Sequence, residues 1–411
     1  MGQTGMGLEE AKRAVAGAVD RAAPRLVEVS RTMYENPELG HREFKASALL
    51  AGFLEEAGFR VTRNVAGLET AFLAVWPPDG GGLKTGPTVA VLAEYDALPK
   101  VGHGCGHNII GSAAAGAGLA LASLGALPGR VLVIGCPAEE GGADGAGGKV
   151  FLLEAGVFDE VDAALMVHPG SVDAVSSPSA CRVALEMTFR GRAAHAAGSP
   201  HEGVNALEAV LQTFNGINAL RQHLPESVLV HGVVVKGGEA PNIVPDEGVV
   251  RLYVRAPVRA ELEPAAERVK DCARGAALAT GCEVRFREFS RTYLDLVPNR
   301  ALDELFARNM TALGRPPVRT RRAGGRVGST DMGNVSHVVP AIHPYVAVTG
   351  GRPVPSHSRE FAEATVSPDG EAALIVGAKA LAMTCLDLLL SPESLREVKD
   401  SAGRGDRPGR G

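Results

Sequence analysis

Three short apolar runs, each breaking off into ligand-type polar residues, limit the fold of this chain more than any other feature. They are "TVAVLAEYDAL" (88–98), "RVLVIGCPAEEGG" (130–142) and "DAALMVHPG" (162–170). Their hydrophobicity is continuous rather than alternating, the pattern of strands covered on both faces. A helical stretch rich in small residues, "NIIGSAAAGAGLALASLG" (108–125), lies between the first two, and helical periodicity also covers 8–34 and 44–59. Strands alternating with helices predict an α/β domain whose central mixed sheet is covered by helices. In such sheets ligands bind beyond the strand ends, and the acidic and histidine residues fall at those ends.

From residue 181 the pattern changes. "RVALEMTFRGRA" (182–193) alternates like a half-exposed strand, and 203–222 reads as a helix. Two strands (227–238 and 247–257), a second helix (260–280) and a strand (282–290) follow. This β-α-β-β-α-β order is that of a ferredoxin-like α+β unit. After it come a helix at 299–313, a Gly/Ser-rich loop at 324–333, a strand near 341–348 and a helix at 368–390 in the style of the first domain. The expected organisation is a discontinuous α/β domain, 1–180 with 296–395, carrying an inserted domain at 181–295. A disordered tail is expected at 396–411, where Arg404-Gly405-Asp406 reads as coincidence.

A net charge of −5 without a basic stripe excludes a nucleic-acid partner. Aromatic content of 4% removes the stacking surfaces that single strands use. No run approaches the ~18 consecutive apolar residues of a membrane span. The six scattered cysteines have no C-x-x-C pairs and predict neither a disulfide framework nor a zinc ribbon. With no apolar leader after "MGQTGMGLEEAKRAV", the expectation is a cytoplasmic, reducing-compartment protein.

Four segments carry metal-type ligands at strand ends: Asp96 with Cys105 and His107, the pair Glu139–Glu140, His168, and His357 in "PSHSREF". A thiolate, three imidazoles and a carboxylate suit Zn²⁺, Mn²⁺, Co²⁺ or Ni²⁺ better than Mg²⁺ or Ca²⁺. Five ligands exceed a closed tetrahedral site and do not saturate two ions, which leaves open positions for water and substrate. Adjacent glutamates on an extended segment point in different directions. One can therefore bind metal while the other moves a proton. Asp96 can orient a ligating imidazole from behind. Singly, each has a plain structural alternative: a loop cysteine, a solvated carboxylate pair, a strand-end histidine. His41, His201, His223 and His337 read as structural.

The ordered segments "AEYDALP…GHGCGHN", "CPAEEGG", "MVHPG", "FRGRAAHAAGSPHEGVNALEAV", "GGEAPNIVPDEG", "GSTDMGNVS" and "PSHSREF" resemble the aminoacylase/carboxypeptidase-G-like dinuclear metallopeptidases. Within them they resemble the Cys-Gly-His amidohydrolase subgroup, in the branch of p-aminobenzoyl-glutamate hydrolase and β-alanyl-lysine-type dipeptidases. The resemblance implies two divalent transition-metal ions per subunit, Zn²⁺ or Mn²⁺ with Co²⁺ or Ni²⁺ as substitutes. It implies Cys105, His107, Glu140, His168 and His357 as ligands, Glu139 as general base and acid, and Asp96 as the carboxylate behind the site. Glu94 falls where many wider relatives have a ligating histidine. The inserted domain becomes a lid and dimerisation domain of a homodimer. His195 then polarises the scissile carbonyl, reaching into the partner subunit's site. Asn242 and Arg255 hold the substrate, and Ser329, Thr330 and Asp331 line the pocket. Asn108 stands where many of the subgroup have Asp, and Cys136 replaces a more usual Thr or Gln, which leaves substrate preference open.

The implied activity is hydrolysis of an amide or peptide bond in a small carboxylate-bearing substrate: an N-acyl amino acid, aminobenzoyl-glutamate or a dipeptide. One rival is an amidase using Cys105 as nucleophile and His107 as base. The other is a non-catalytic binding protein on the same scaffold.

Overall fold

Two helices begin the chain, α1 (Leu8–Glu35) and α2 (Phe44–Glu56). Each buries one stripe, Val15, Val19, Leu26 and Met33 on the first and Leu50, Phe53 and Leu54 on the second. Then follow β1 (Arg60–Arg63), β2 (Phe72–Trp76), β3 (Thr88–Glu94), α3 (His107–Ala122), β4 (Arg130–Cys136), α4 (Gly148–Glu154), β5 (Ala163–Leu165) and β6 (His168–Gly170). The computed structural model describes residues 6–78, 86–141, 144–319 and 328–402.

Two units divide these residues. The second unit takes Ser179–Asp295 together with 328–333. It contains β7 (Cys181–Arg190), α5 (Ala206–Leu220), β8 (Leu229–Lys236), β9 (Glu247–Ala256), α6 (Arg259–Thr280) and β10 (Glu283–Tyr293). All its strand pairs are antiparallel, in the order β10-β7-β9-β8. With β-α-β-β-α-β connectivity this is a ferredoxin-like unit. Its core is separate, built from residues such as Leu185, Phe189, Val210, Leu252 and Val269.

The first unit resumes with α7 (Arg300–Ala312); α8 (Met332–Ser336) begins in the second unit's 328–333 stretch, and the first unit continues with β11 (Ala341–Ile342), β12 (Tyr345–Ala347), α9 (Arg359–Ala364), α10 (Pro368–Leu390) and α11 (Pro392–Ser401). Its six-stranded sheet has the order β1-β2-β4-β3-β5-β11. The β4-β3-β5-β11 stretch is parallel and the β1-β2-β4 edge antiparallel. β3 lies inside the parallel stretch and all seven of its residues are buried, which is why its sequence is unbroken in hydrophobicity. The carboxyl ends of the four parallel strands share one edge, so the residues after them converge there.

Three local readings differ from the structure. The run 162–170 is two strands: β5 joins the main sheet, and β6 leaves it to pair with β12. The strand expected at 341–348 splits likewise, at His343-Pro344, into β11 and β12. The tail expected to be disordered from 396 continues as helix to Ser401, because Ser391 caps α11 and Val398 is buried, its carbonyl accepting the Asn299 amide. Residues 403–411 and the 324–327 part of the Gly/Ser-rich loop lie outside the described residues. Among the described helices α10 alone is long and apolar enough to cross a membrane; it packs on α1, α3 and α7 and most of it is buried.

Candidate metal centre

The site is built on the first unit at the ends of its parallel strands. β3 runs out through Glu94, Tyr95 and Asp96, and the two carboxylates lie two residues apart, on the same side of the strand line. Both oxygens of buried Asp96 are engaged. Oδ1 lies 2.7 Å from Nδ1 of His107, and Oδ2 accepts the backbone N–H of Glu140 at 2.9 Å. A carboxylate accepts, so Nδ1 of His107 carries the proton and its Nε2 presents a lone pair. His168 is fixed in the same sense: its Nδ1 donates to the Pro169 carbonyl at 2.7 Å, and its Nε2 faces Sγ of Cys105 at 3.5 Å.

His107 is the first residue of α3, and Gly106 before it sits at φ +81°. A Cβ there would lie 2.5 Å from Cγ of Pro169. Glycine is therefore what lets the Cys105–His107 segment close onto His168. His357, also left-handed at φ +65°, brings Nε2 to 3.7 Å from Oε1 of Glu140, and its N–H donates to the Gly104 carbonyl.

Among the described residues, three groups of donor atoms lie mutually within 4.8 Å: Cys105, His107 and His168; Cys105, Glu140 and His357; and Glu94, His107 and Glu139. The five expected ligands and Glu139 are thus brought to one place, with Cys105 common to two groups. Around Nε2 of His107 stand Oε2 of Glu94 at 3.4 Å, Oε2 of Glu139 at 3.9 Å and Oε1 of Glu140 at 3.9 Å. Nε2 of His107, Oε2 of Glu94 and Oε1 of Glu140 are buried without a hydrogen-bond partner. Buried polar atoms in folded proteins are almost always partnered. Lone pairs converging without a donor fit a cation, and the sulfur, nitrogen and oxygen donors fit a borderline transition ion.

Electrostatics agree. Burial disfavours a charged His107, yet the charge and hydrogen bond of Asp96 lift its pKa well above the usual value. Without a metal, a proton is the positive charge the site can recruit. Burial opposes ionisation of Glu94 too, but the ammonium of Lys149 and then His107 and His168 hold its carboxyl at about 2. Lys149 is itself fully buried and pairs with Oε1 of Glu94. Burial raises Glu140, and burial followed by Glu140 pushes the Cys105 thiol up. A nucleophilic cysteine needs a lowered pKa, so these surroundings disfavour the cysteine-amidase rival; a thiolate here needs a cation beside it.

The remaining expected site residues belong to the second unit. Nδ1 of His195 accepts the N–H groups of Ala197 and Gly198 at 3.2 and 3.0 Å. Its proton is therefore on Nε2, a free-standing donor suited to a carbonyl oxygen. His195 bridges to Ile243, and the Asn242 carbonyl accepts the Ala196 N–H, so His195 and Asn242 are neighbours. Arg255 donates to Oγ of Ser329 at 2.8 Å and to His231. Thr330 and Asp331 are buried, the hydroxyl of Thr330 accepting the Met332 N–H.

Two residues of the centre escape sequence reading. Lys149 sits in "GGKVFLLE" with no local signal. His343 lies against His168, with ring centroids 5.0 Å apart and the planes tilted by 33°, and burial lowers its pKa to about 4. A signal for it exists: "VHPG" at 167–170 and "IHPY" at 342–345 repeat a His-Pro break after neighbouring parallel strands.

A peptidase dimerisation domain family matches residues 182–280. Over 95% of this chain and 92% of the relative, the sequence is 39% identical to Xaa-Arg dipeptidase of Mus musculus. It is 36% identical to a p-aminobenzoyl-glutamate hydrolase chain of Escherichia coli (strain K12), over 75% of this chain and 66% of that protein. Among solved structures it resembles a Bacillus subtilis dinuclear metal binding peptidase from the M20 family. There the TM-score is 0.62 and the identity 23%, covering 90% of this chain and 99% of that one.

Proposed function

From the premise that the chain belongs to the M20 family of metallopeptidases, we propose how its site hydrolyses amide bonds. The enzyme is an amide-bond hydrolase of small substrates, as its dipeptidase and aminobenzoyl-glutamate hydrolase relatives are. Two divalent transition ions, Zn²⁺ or Mn²⁺ with Co²⁺ or Ni²⁺ as substitutes, would be held by Cys105, His107, Glu140, His168 and His357, and Glu94 joins His107 and Glu139 in a third donor group. The observation that carries this reading is the cluster of unpartnered lone pairs around Nε2 of His107.

When bound, the ions acidify a water and polarise the scissile carbonyl. Glu139, whose neighbour Glu140 is turned to the ligand group, takes the water's proton and returns it to the departing amine. Asp96 holds the His107 tautomer and the Glu140 backbone together. From the second unit, Nε2–H of His195 donates to the carbonyl oxygen as charge develops on it, acting in the partner's site. Arg255 with Ser329 holds a substrate carboxylate, Asn242 the substrate amide, and Thr330 and Asp331 line the pocket. The substrate class is a dipeptide or N-acyl amino acid with a free carboxylate, a dipeptide with a basic C-terminal residue foremost, given the Xaa-Arg relative.

A homodimer through the second unit is supported by the outer strand β8, where Val233, Val234 and Val235 are exposed. Six cysteines that remain outside any disulfide support a cytoplasmic location. The test is a screen of metal-reconstituted enzyme on Xaa-Arg and β-alanyl dipeptides, N-acyl amino acids and aminobenzoyl-glutamate, read by amine release. Glu139→Gln is expected to lose at least ~10²-fold in kcat while retaining its metal. Near-normal turnover by that variant would overturn the assignment, and full activity in chelator would return the cysteine rival.

A further inference from the structure

The segment between α1 and α2 touches both strand-end segments of the centre. The Glu38 carbonyl accepts the Ala97 N–H at 2.8 Å, one residue beyond Asp96. Nε2 of His41 donates to the Gly145 carbonyl at 2.9 Å. Oε1 of Glu43 accepts the N–H of Ala138 at 2.8 Å, one residue before Glu139. The other Glu43 oxygen is held by Oγ of Thr70 at 2.9 Å. The carbonyl of Thr70 in turn accepts the hydroxyl of Tyr95, which stands between Glu94 and Asp96.

Ala138 is a non-glycine residue at φ +54°. That conformation costs an L-residue about 1–2 kcal/mol, so its surroundings must impose it. Both of its peptide groups are clamped, the N–H by Glu43 and the carbonyl by the Gly147 N–H at 2.8 Å. The next peptide is clamped by Asp96 through the Glu140 N–H. The direction of the Glu139 side chain is thus set by a strained turn with fixed neighbours.

Helix capping does not account for Glu43. It occupies the N-cap position of α2 without a side-chain cap bond, and Oε2 of Glu38 accepts the Lys45 and Ala46 N–H groups instead. Glu43 is fully buried, and burying a carboxylate is costly unless its bonds repay it. Those bonds lead to the strained peptide that precedes the base.

We infer that Glu43 is a positioning residue: it holds the left-handed turn at Ala138 and so aims Glu139, a role that rests on Glu139 moving the proton. Glu43→Met keeps the length and removes the acceptor. Glu43→Gln keeps it, its carbonyl taking the Ala138 N–H and its amide donating to Thr70.

The test compares both with the wild type and Glu139→Gln, as metal-loaded enzymes on the dipeptide that the wild type turns over. Metal content is measured for each. For E43M a fall in kcat of about 10–100-fold is expected, the scale of a misplaced catalytic group. KM should stay within about twofold and metal content should not change. E43Q should keep kcat within about threefold, and the double variant E43M/E139Q should lose no more than E139Q, since both act through one carboxylate. Near-normal kcat in E43M, an equal loss in E43Q, or a loss tracking lost metal would each overturn the inference.

If E43M does not fold, Thr70→Val removes the second anchor of Glu43; a lowered kcat at unchanged KM supports the role and an unchanged kcat overturns it. A dead E139Q beside a normal E43M defeats only the positioning role. An active E139Q defeats the general-base reading itself.

Discussion

Asp96 illustrates how much one side chain can decide. With one oxygen on His107 and the other on the Glu140 backbone, it fixes a tautomer and a loop in a single contact set. Asp303 uses its carboxylate differently. One of its oxygens accepts both the N–H and the hydroxyl of Ser176, whose Oγ accepts the His343 N–H. Burial raises the Asp303 carboxyl to about 6 from its ordinary 3.8, the Ser176 bonds offsetting only part. Between those values the folded protein retains a proton that the unfolded chain has released. Stability therefore falls as pH rises from about 3.8 to about 6, by up to ~3 kcal/mol, and stays lowered above. Asp303→Asn keeps the acceptor and removes the charge. It should raise stability by about 1–3 kcal/mol at pH 7.5 and leave it nearly unchanged at pH 4. Thermal melts of both proteins at both pH values check this, and equal shifts at the two would refute it.

Elements matter here by where they begin and end. β3 and β4 deliver carboxylates because they stop at the same edge, and α3 delivers His107 because its first turn starts in a loop that can approach β6. Gly106 makes that approach, in a left-handed conformation and with no room for a side chain against Pro169. Gly106→Ala should cost at least ~2 kcal/mol, combining the conformational penalty with the clash. It should also weaken metal binding by separating Cys105 from His168. Melting temperature and metal content of the purified variant measure the two effects. A variant within about 1 °C of wild type with full metal would show that the segment has room the geometry denies. The breaks after β5 and β11 belong to the same scale. A His-Pro pair follows each of these neighbouring strands, and the chain steps from the main sheet into the β6–β12 pair.

The whole molecule keeps its metal-type cluster in one unit and gives the other a core of its own. A ligand that binds only the folded state stabilises what it binds. Chelation should therefore raise amide hydrogen exchange in β3, in the first turn of α3 and around Glu139–Glu140, where like charges lose their counterions. Exchange in β7 and β9 should not change. Equal loss of protection in β9, or none anywhere, would contradict a metal centre confined to the first unit. The long apolar α10 is explained at this scale too: α1, α3 and α7 cover it, so its composition answers to a protein core.

Local patterning by itself determined the two fold types. Hydrophobic runs and periodicities are set by which faces are covered, and an unbroken β3 or an alternating β9 records its layer in a few residues. It also marked Asp96, Cys105, His107, Glu139, Glu140, His168 and His357 as chemically matched, because donor type is a property of the residue. Only tertiary structure decided which atoms meet and which lone pairs lack a donor. Lys149 becomes a partner of Glu94 across 55 residues, and Glu43 of Ala138 across 95, through contacts that leave no trace in local spacing. Such pairs form because the fold buries both partners, and burial, which raises the cost of a missing partner, is a property of the assembled sheet and helices.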